Sequence, residues 1–141
     1  MPFIDIRSED GNVTNTLLPP LPTGHLVVRS VFEDGIRVSV IEPSGRQIIE
    51  VPATPISSPD SRFFVAADED ALADDILSIW RLDPAIGWIR EYVTTNGHRA
   101  WAPRQVTWRD DSTVVYVRDF FNQADSTIVL ARRARRWAEL R

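Results

Sequence analysis

Five carboxylates fall within eight consecutive positions near the middle of the chain: Asp68, Glu69, Asp70, Asp74 and Asp75. Carboxylate oxygens at close spacing can bind a hard cation such as Ca²⁺. The spacing does not match a calcium-binding loop, which places ligands at alternate positions around a central glycine, because Leu72 occupies a ligand position. The pattern favours a solvated acidic loop between two strands. Since its charge could equally steer a basic partner protein, the first four of these acids are candidate partner-binding residues.

Four arginines near the end of the sequence form a second candidate group: Arg132, Arg133, Arg135 and Arg136. In a predicted final strand their charges either protect an exposed sheet edge or bind an acidic partner, which could be the acidic loop of a neighbouring copy. Phe120 and Phe121 are predicted to lie in a loop between strands. An exposed aromatic pair would anchor a partner, whereas a buried pair would fill the core under the sheet.

Other residue patterns that carry catalysis or ligand binding are missing from the sequence. There is no cysteine, so a disulfide, a thiolate nucleophile and a zinc–thiolate site are excluded. His25 and His98 lie far apart and each follows a glycine, so we expect turn residues rather than metal ligands. The six glycines are never closer than ten residues, which excludes a glycine-rich phosphate cradle. The sequence therefore predicts no cofactor, no metal site and no catalytic residue.

Composition and charge describe one globular domain with an uneven charge distribution. The chain has 141 residues, of which 43% are hydrophobic and 26% charged. The net charge is −4, but residues 131–141 carry five arginines and one glutamate, +4, so the remainder sums to −8. An acidic body disfavours a nucleic-acid partner, which requires a basic face. Since neither a signal peptide nor a membrane span is recognisable, we expect a cytoplasmic protein without membrane contact.

Two stretches fifty residues apart share one pattern, "SSPDSRFFVAAD" at 57–68 and "TWRDDSTVVYVR" at 107–118. Each begins with a polar segment that contains hydroxyl residues, continues with a turn that contains aspartate, and ends with a run of apolar residues that favour strands. An offset of fifty, reduced by one residue and then by a second near the end, aligns three pairs: Asp60 with Asp110, Trp88 with Trp137, and Glu91 with Glu139. The sequence therefore builds one structural unit twice, over 56–91 and 106–140.

Each unit is predicted to hold three antiparallel strands, at 62–67, 76–82 and 88–94 and again at 113–119, 126–132 and 135–140. A weaker copy precedes them, because 36–40 alternates apolar and polar residues and 42–45 resembles the hairpin turn expected at 83–87. We therefore predict an all-β, mainly antiparallel single domain of serial three- to four-stranded units. Its parts would be an N-terminal strand with a Pro-rich connector over 1–23, and units over 24–55, 56–105 and 106–141.

The stretch "SSPDSRFFVAAD", followed by "ILSIWRLDPAIGW", resembles a blade of a β-propeller of the WD-repeat or a related type. The resemblance rests on Ser58-Pro59-Asp60-Ser61, the apolar strand after it, and Ile79-Trp80 before a polar turn. It departs from a WD repeat at Arg81, where aspartate would follow Trp80, and at Ser61, where glycine would stand. Because closed propellers typically have four to eight blades, the resemblance implies an open propeller-like stack or a ring completed by another copy.

Two segments also carry apolar residues at helical spacing. Leu72, Ile76 and Ile79 are spaced i, i+4 and i+7, and an acidic cluster precedes them. Leu130 and Trp137 could line one face of a helix rich in alanine, arginine and leucine. A helix is therefore the alternative to the predicted strands at 70–80 and 130–140, the latter as a short C-terminal helix.

These features favour a protein–protein interaction module over an enzyme. One form of such a module is a specific inhibitor, for instance an immunity protein that neutralises a toxin; a subunit of a larger assembly or a homo-oligomer also fits. The alternative is a small carboxylate-dependent, glycosidase-like hydrolase, which needs two acids about 5–10 Å apart and one raised pKa. Nucleic-acid binding through the Arg-rich tail and Trp137 is a third reading, and it predicts steep salt dependence.

Overall fold

Every regular secondary-structure element in the part of the chain that the structure describes is a β-strand. The structure is a computed structural model and describes residues 13–69, 75–95, 101–120 and 124–140. Twelve strands occur within these ranges: β1 (Thr14–Leu18), β2 (Leu26–Phe32), β3 (Gly35–Ile41), β4 (Ile48–Val51), β5 (Ile56–Ser57), β6 (Phe63–Ala67), β7 (Asp75–Asp83), β8 (Gly87–Thr95), β9 (Trp101–Asp110), β10 (Thr113–Phe120), β11 (Ser126–Arg133) and β12 (Arg136–Glu139).

The strands form three antiparallel sheets in series, each with four strands that pair in chain order. The first sheet contains β1–β4, the second β5–β8 and the third β9–β12. The chain divides after Thr54 into two compact units, of which one holds the first sheet and the other holds the second and third sheets. The all-β prediction is confirmed. Serial sheets of this kind also fit the predicted blade-like units of three to four strands. The second and third sheets each have one strand more than the three that the sequence indicated.

In the first unit, short loops close the hairpins of the first sheet. The proline segment 19–22, predicted as a connector, joins β1 to β2 and tucks Leu21 inside, where its N–H donates to the His25 carbonyl at 3.0 Å. Gly45 closes the β3–β4 loop at φ +76°, a left-handed conformation that favours glycine, and its N–H donates to the Glu42 carbonyl at 2.7 Å. The predicted acid–proline–glycine turn is therefore confirmed at 42–45.

In the second unit, the second and third sheets pack face to face around one apolar core. Because side chains alternate along a strand, every second residue of the central strands enters this core. The second sheet contributes Phe63, Val65, Leu77 and Ile79, and the third contributes Val106, Val114, Tyr116, Leu130 and Trp137. The ring of Phe63 meets the ring of Trp137 edge-on, with centroids 5.7 Å apart.

Matching turns confirm the predicted repeat between these two sheets. Asp60 accepts the backbone N–H of Arg62 at 3.1 Å before β6 begins. Fifty residues later, Asp110 accepts the backbone N–H of Ser112 at 2.9 Å before β10 begins. An aspartate that binds the N–H two residues ahead fixes the turn that starts each central strand.

Neither segment with helical spacing is a helix where the structure describes it, so the helix alternative is wrong there: 75–80 belongs to β7, and 130–139 consists of the end of β11, a turn and β12. In β7, four consecutive residues from Ile76 to Ile79 are buried, because both faces of this strand are covered. A continuous apolar run of this kind contains helical spacings by coincidence. Near the C-terminal end, Ala134 and Arg135 have φ values of 51° and 65°, which a right-handed helix does not contain. Residues 70–74 lie outside the described ranges.

The packing of the core predicts a clear contrast between two leucines of the third sheet. Leu130 is fully buried, whereas Leu140 is 42% exposed. We expect Leu130→Ala to lower the free energy of unfolding by about 3 kcal/mol, because it removes buried methyl groups and leaves a cavity. The matched Leu140→Ala change should cost less than about 0.5 kcal/mol. Urea denaturation followed by tryptophan fluorescence measures both, and equal losses would contradict the proposed core.

Candidate functional site

A polar cleft opens at one end of the second and third sheets. Its volume is about 370 Å³, and its lining consists of Arg62, Phe63, Arg81, Asp83, Arg132 and Arg135. These residues come from the start of β6, the end of β7, the end of β11 and the turn between β11 and β12. Because antiparallel strands start and end at the same edge of a sheet, the turns bring four arginines to one place. We call this site the arginine cleft.

Glu91 lies beneath the arginine cleft and binds both sheets. Its carboxylate accepts two hydrogen bonds from Arg132 of the third sheet, at 2.7 and 3.0 Å, in a forked arrangement. It also accepts one from Arg81 of its own sheet at 2.8 Å and one from the indole of Trp137 at 3.1 Å. The Glu91 side chain is 11% exposed. Charge-assisted bonds of this kind hold the two guanidinium groups in fixed positions.

A β-bulge explains why Glu91 can reach the third sheet. In the β7–β8 pair, Ile79 faces Tyr92 and Trp80 faces Arg90, so Glu91 is an extra residue between them. Since a bulge re-aims a side chain, Glu91 joins the face that already carries Tyr92 into the core. In the third sheet, Glu139 pairs with Leu130, the repeat equivalent of Trp80. The predicted alignment of Glu91 with Glu139 is therefore wrong, because Arg90 holds that position.

The acids of the arginine cleft are held in their charged form. Burial raises the pKa of Glu91, but hydrogen bonds from Arg132, Arg81 and Trp137 outweigh it, so that the pKa of Glu91 lies below its ordinary value. The pKa of Asp83 is also lowered, because two backbone N–H groups of the β7–β8 turn and the nearby Arg81 stabilise its carboxylate. These carboxylates act as anchors for arginine rather than as proton donors.

Arg135 stands at the rim of the arginine cleft in an unusual backbone conformation. It is the second residue of a two-residue turn, since Arg133 and Arg136 on either side form a strand pair. Both turn residues have positive φ, 51° for Ala134 and 65° for Arg135, where Asn-Gly is the usual choice. Arg135 is exposed, and no acid within the described residues pairs with it.

Arg62 forms the opposite rim and is anchored on one side only. Its Nε lies 2.8 Å from a carboxylate oxygen of Asp60, and its side chain remains 71% exposed. The guanidinium also lies 5.8 Å from the ring centroid of Phe63, on the floor of the arginine cleft, and the guanidinium of Arg132 lies 5.1 Å from the same ring. The cleft therefore offers fixed and exposed guanidinium donors to one anionic group.

The predicted arginine group divides between two faces of the third sheet. Arg132 and Arg135 line the arginine cleft, whereas Arg133 and Arg136 are exposed and form a strand pair outside its lining. The cleft-lining Arg62, Arg81 and Asp83, together with Glu91 beneath them, were not predicted as site residues. The sequence contained one indication of this site: Arg81 stands where a WD repeat would have aspartate.

The predicted acidic and aromatic candidates lie elsewhere. Asp68 is 8% exposed, so its carboxylate offers little surface to a partner, while Glu69 is exposed. Phe120 is not in a loop, because it is the half-buried last residue of β10 and pairs with Trp101. Asp70, Asp74 and Phe121 lie outside the described residues, as does His98.

Comparison with known protein families, with curated proteins and with solved structures finds no match for this chain. Within the described residues, no group of three or more histidine, aspartate or glutamate side chains is placed to hold a metal ion. The same residues include no helix that is long and apolar enough to cross a membrane. The function must therefore be argued from the geometry of the arginine cleft.

Replacement of Glu91 tests its role as the link between the sheets. We expect Glu91→Gln to lower the free energy of unfolding by about 2 kcal/mol, less than the loss of a fully buried pair because the cleft is open to solvent. Glu42→Gln, which disturbs an exposed pair with Arg46, should have little effect. Chemical denaturation at neutral pH measures both variants, and indistinguishable results would contradict this role.

The stabilisation by Glu91 should also depend on pH in one direction. Because its folded pKa lies below the ordinary value of 4.5, the stabilisation is fully present above that value and is lost as pH falls through the folded pKa. The stabilities of the native protein and Glu91→Gln should therefore converge below about pH 4. A difference that stays constant down to pH 3 would mean that the Glu91 charge is not responsible.

Proposed function

We propose that this protein is a protein-binding module and that its arginine cleft receives an acidic group of the partner protein. The group would be a carboxylate, carried by an aspartate or glutamate side chain or by a chain terminus. The observation that carries this proposal is Arg135, an exposed arginine held in a left-handed turn at the rim of a cleft with three other arginines.

The conformation of Arg135 has an energetic cost that its contacts in the structure do not offset. A non-glycine residue in the left-handed region is disfavoured by roughly 1–2 kcal/mol, and glycine would avoid this penalty. Among the described residues, no carboxylate pairs with Arg135 in return. Strained residues of this kind cluster at functional sites. A ligand that binds the Arg135 guanidinium would account for its presence.

The remaining arginines favour a carboxylate ligand because they are already in place. Arg81 and Arg132 are fixed by Glu91, and each retains N–H groups that Glu91 does not use. Guanidinium groups bind carboxylates through two parallel hydrogen bonds, and a fixed group loses little conformational freedom on binding. A surface of this type suits a partner whose acidic side chain projects between the two sheets.

The carboxylate-dependent hydrolase has less support than the binding module. A glycosidase-like reaction requires one acid whose pKa is raised, so that it can donate a proton near neutral pH. Each described carboxyl group whose pKa departs from its ordinary value is lowered: Glu42, Asp60, Asp83, Glu91 and Asp110. The nucleic-acid reading is also weak, because Trp137 is 7% exposed and its indole is bonded to Glu91.

An inhibitor and an assembly subunit are two forms of the same proposal. Both would use the arginine cleft to hold an acidic group of the partner, and they differ in what binding does to that partner. An immunity protein would abolish the activity of its toxin at a one-to-one ratio. A subunit would leave the partner's activity unchanged or raise it.

Affinity capture with charge-reversed bait proteins tests the proposal directly. The native protein should retain a stoichiometric partner, and the double variant Arg62→Glu/Arg135→Glu should lose it, with binding weakened at least about 100-fold by repulsion of the acidic group. Arg109→Glu, which alters an exposed arginine outside the cleft lining, is the matched control. Loss of the partner by the control alone, or equal retention by all three baits, would overturn the role of the cleft.

Arg135→Gly separates binding from stability at a single position. Glycine relieves the left-handed strain, so we expect the free energy of unfolding to rise by between zero and about 1 kcal/mol. The same change removes a donor from the cleft and should weaken partner binding about tenfold. Thermal unfolding and titration of the captured partner give the two readouts. A less stable variant that binds normally would show that Arg135 is structural.

A further inference from the structure

The second and third sheets are stacked in the same direction, so corresponding faces of the repeat have different surroundings. In the second sheet, Phe63, Val65 and Ile79 face the third sheet and form the core. With the offset of fifty, their counterparts are Thr113, Val115 and Val129. These lie on the opposite side of β10 and β11 from the core residues Val114, Tyr116 and Leu130. The third sheet therefore turns outward the face that its neighbour uses for packing.

The centre of this outer face carries β-branched residues. Charged residues flank them: Arg104 with Asp119 on one side, and the strand pair of Arg133 and Arg136 at one end. Across β10 and β11, Val115 pairs with Val129 and Val117 pairs with Thr127. The three valines are half-buried and Thr127 is exposed. Rows of β-branched side chains on a pleated surface are suited to packing against another sheet.

We propose that the outer face of the third sheet packs against the same face of a second copy of this chain. The face is the direct continuation of an interface that the protein already uses, because the equivalent face of the second sheet is covered by a sheet of the same repeat. A second copy supplies the same uncovered face, and a contact of one face with itself about a two-fold axis closes as a dimer without any other partner. The proposal is independent of the arginine cleft.

Side-chain size indicates that this association is reversible. The second sheet fills its packing face with Phe63 and Leu77, whereas the third sheet has Thr113 and Thr127 at the equivalent positions. Each change removes apolar area from the contact and adds a hydroxyl group, which weakens packing between sheets. We therefore expect monomers and dimers in exchange. The dissociation constant should lie in the micromolar range, which corresponds to a binding free energy of about −8 kcal/mol.

Substitutions at Thr127 in opposite directions test the surface, because this residue is exposed and its strand can hold either replacement. Sedimentation equilibrium of the full chain should show dimerisation that depends on concentration. Thr127→Leu should tighten it about tenfold by adding apolar area, and Thr127→Arg should weaken it at least about 100-fold by burying a charge. Ile86→Arg places the same charge on a residue that is 70% exposed in the β7–β8 turn, and it should leave dimerisation unchanged.

The outcomes separate self-association through this face from the alternatives. If the native protein and Thr127→Leu are both monomeric up to about 1 mM, the threonines cap the stack and the proposal is wrong. If Thr127→Arg still dimerises and Ile86→Arg does not, the contact lies elsewhere on the molecule, and the proposal is also wrong. Circular dichroism of every variant should retain the native β-sheet spectrum, so that a changed mass reports a changed contact.

Discussion

The packing of the two sheets in the second unit depends on the hydrogen bonds that one partly buried carboxylate accepts. A carboxylate between two packed sheets is destabilising unless cationic groups surround it. Glu91 meets this requirement with Arg81 from its own sheet and Arg132 from the facing sheet. The two sheets must therefore keep one spacing and one offset at this end of the core. The arginine cleft is the open space beside these groups, so its shape follows from the same contact.

Arginine supplies a geometry here that lysine could not. Arg132 donates from two nitrogens to both oxygens of Glu91, which fixes the plane of the guanidinium as well as its position. A lysine ammonium is a point donor and would leave that plane undefined. The chain has sixteen arginines and no lysine. At this site the planar group does two things at once, because one edge of it binds Glu91 while its face covers Phe63.

The central strands of the second unit could be predicted from the sequence because their alternation is regular and their turns begin at Asp60 and Asp110. The fourth strand of the third sheet, β9, was not predicted. It contains Pro103, and its pairing with β10 shifts register twice, so no simple period is visible in its residues. Tertiary packing rather than local sequence defines this strand.

The candidate site was predicted only in part, and the reason lies in two backbone irregularities. Arg132 and Arg135 stood out as members of an arginine cluster, but their partner Glu91 did not. The bulge that turns Glu91 toward the third sheet appears in the sequence as an ordinary extra residue. Likewise, the Ala134-Arg135 turn lacks the Asn-Gly signal of its type, so the direction of Arg135 could not be inferred.

The inserted residue at Glu91 also bears on how the chain avoids misassembly. Two stretches with the same strand pattern could exchange places during folding, which is a common failure of repeat proteins. Glu91 has no counterpart in the third sheet, so the hairpin that carries it is not interchangeable with the β11–β12 hairpin. A chain with these hairpins exchanged would trap the carboxylate away from Arg132, and such a state is disfavoured. A single inserted residue thus favours one arrangement of two similar repeats over the exchanged one.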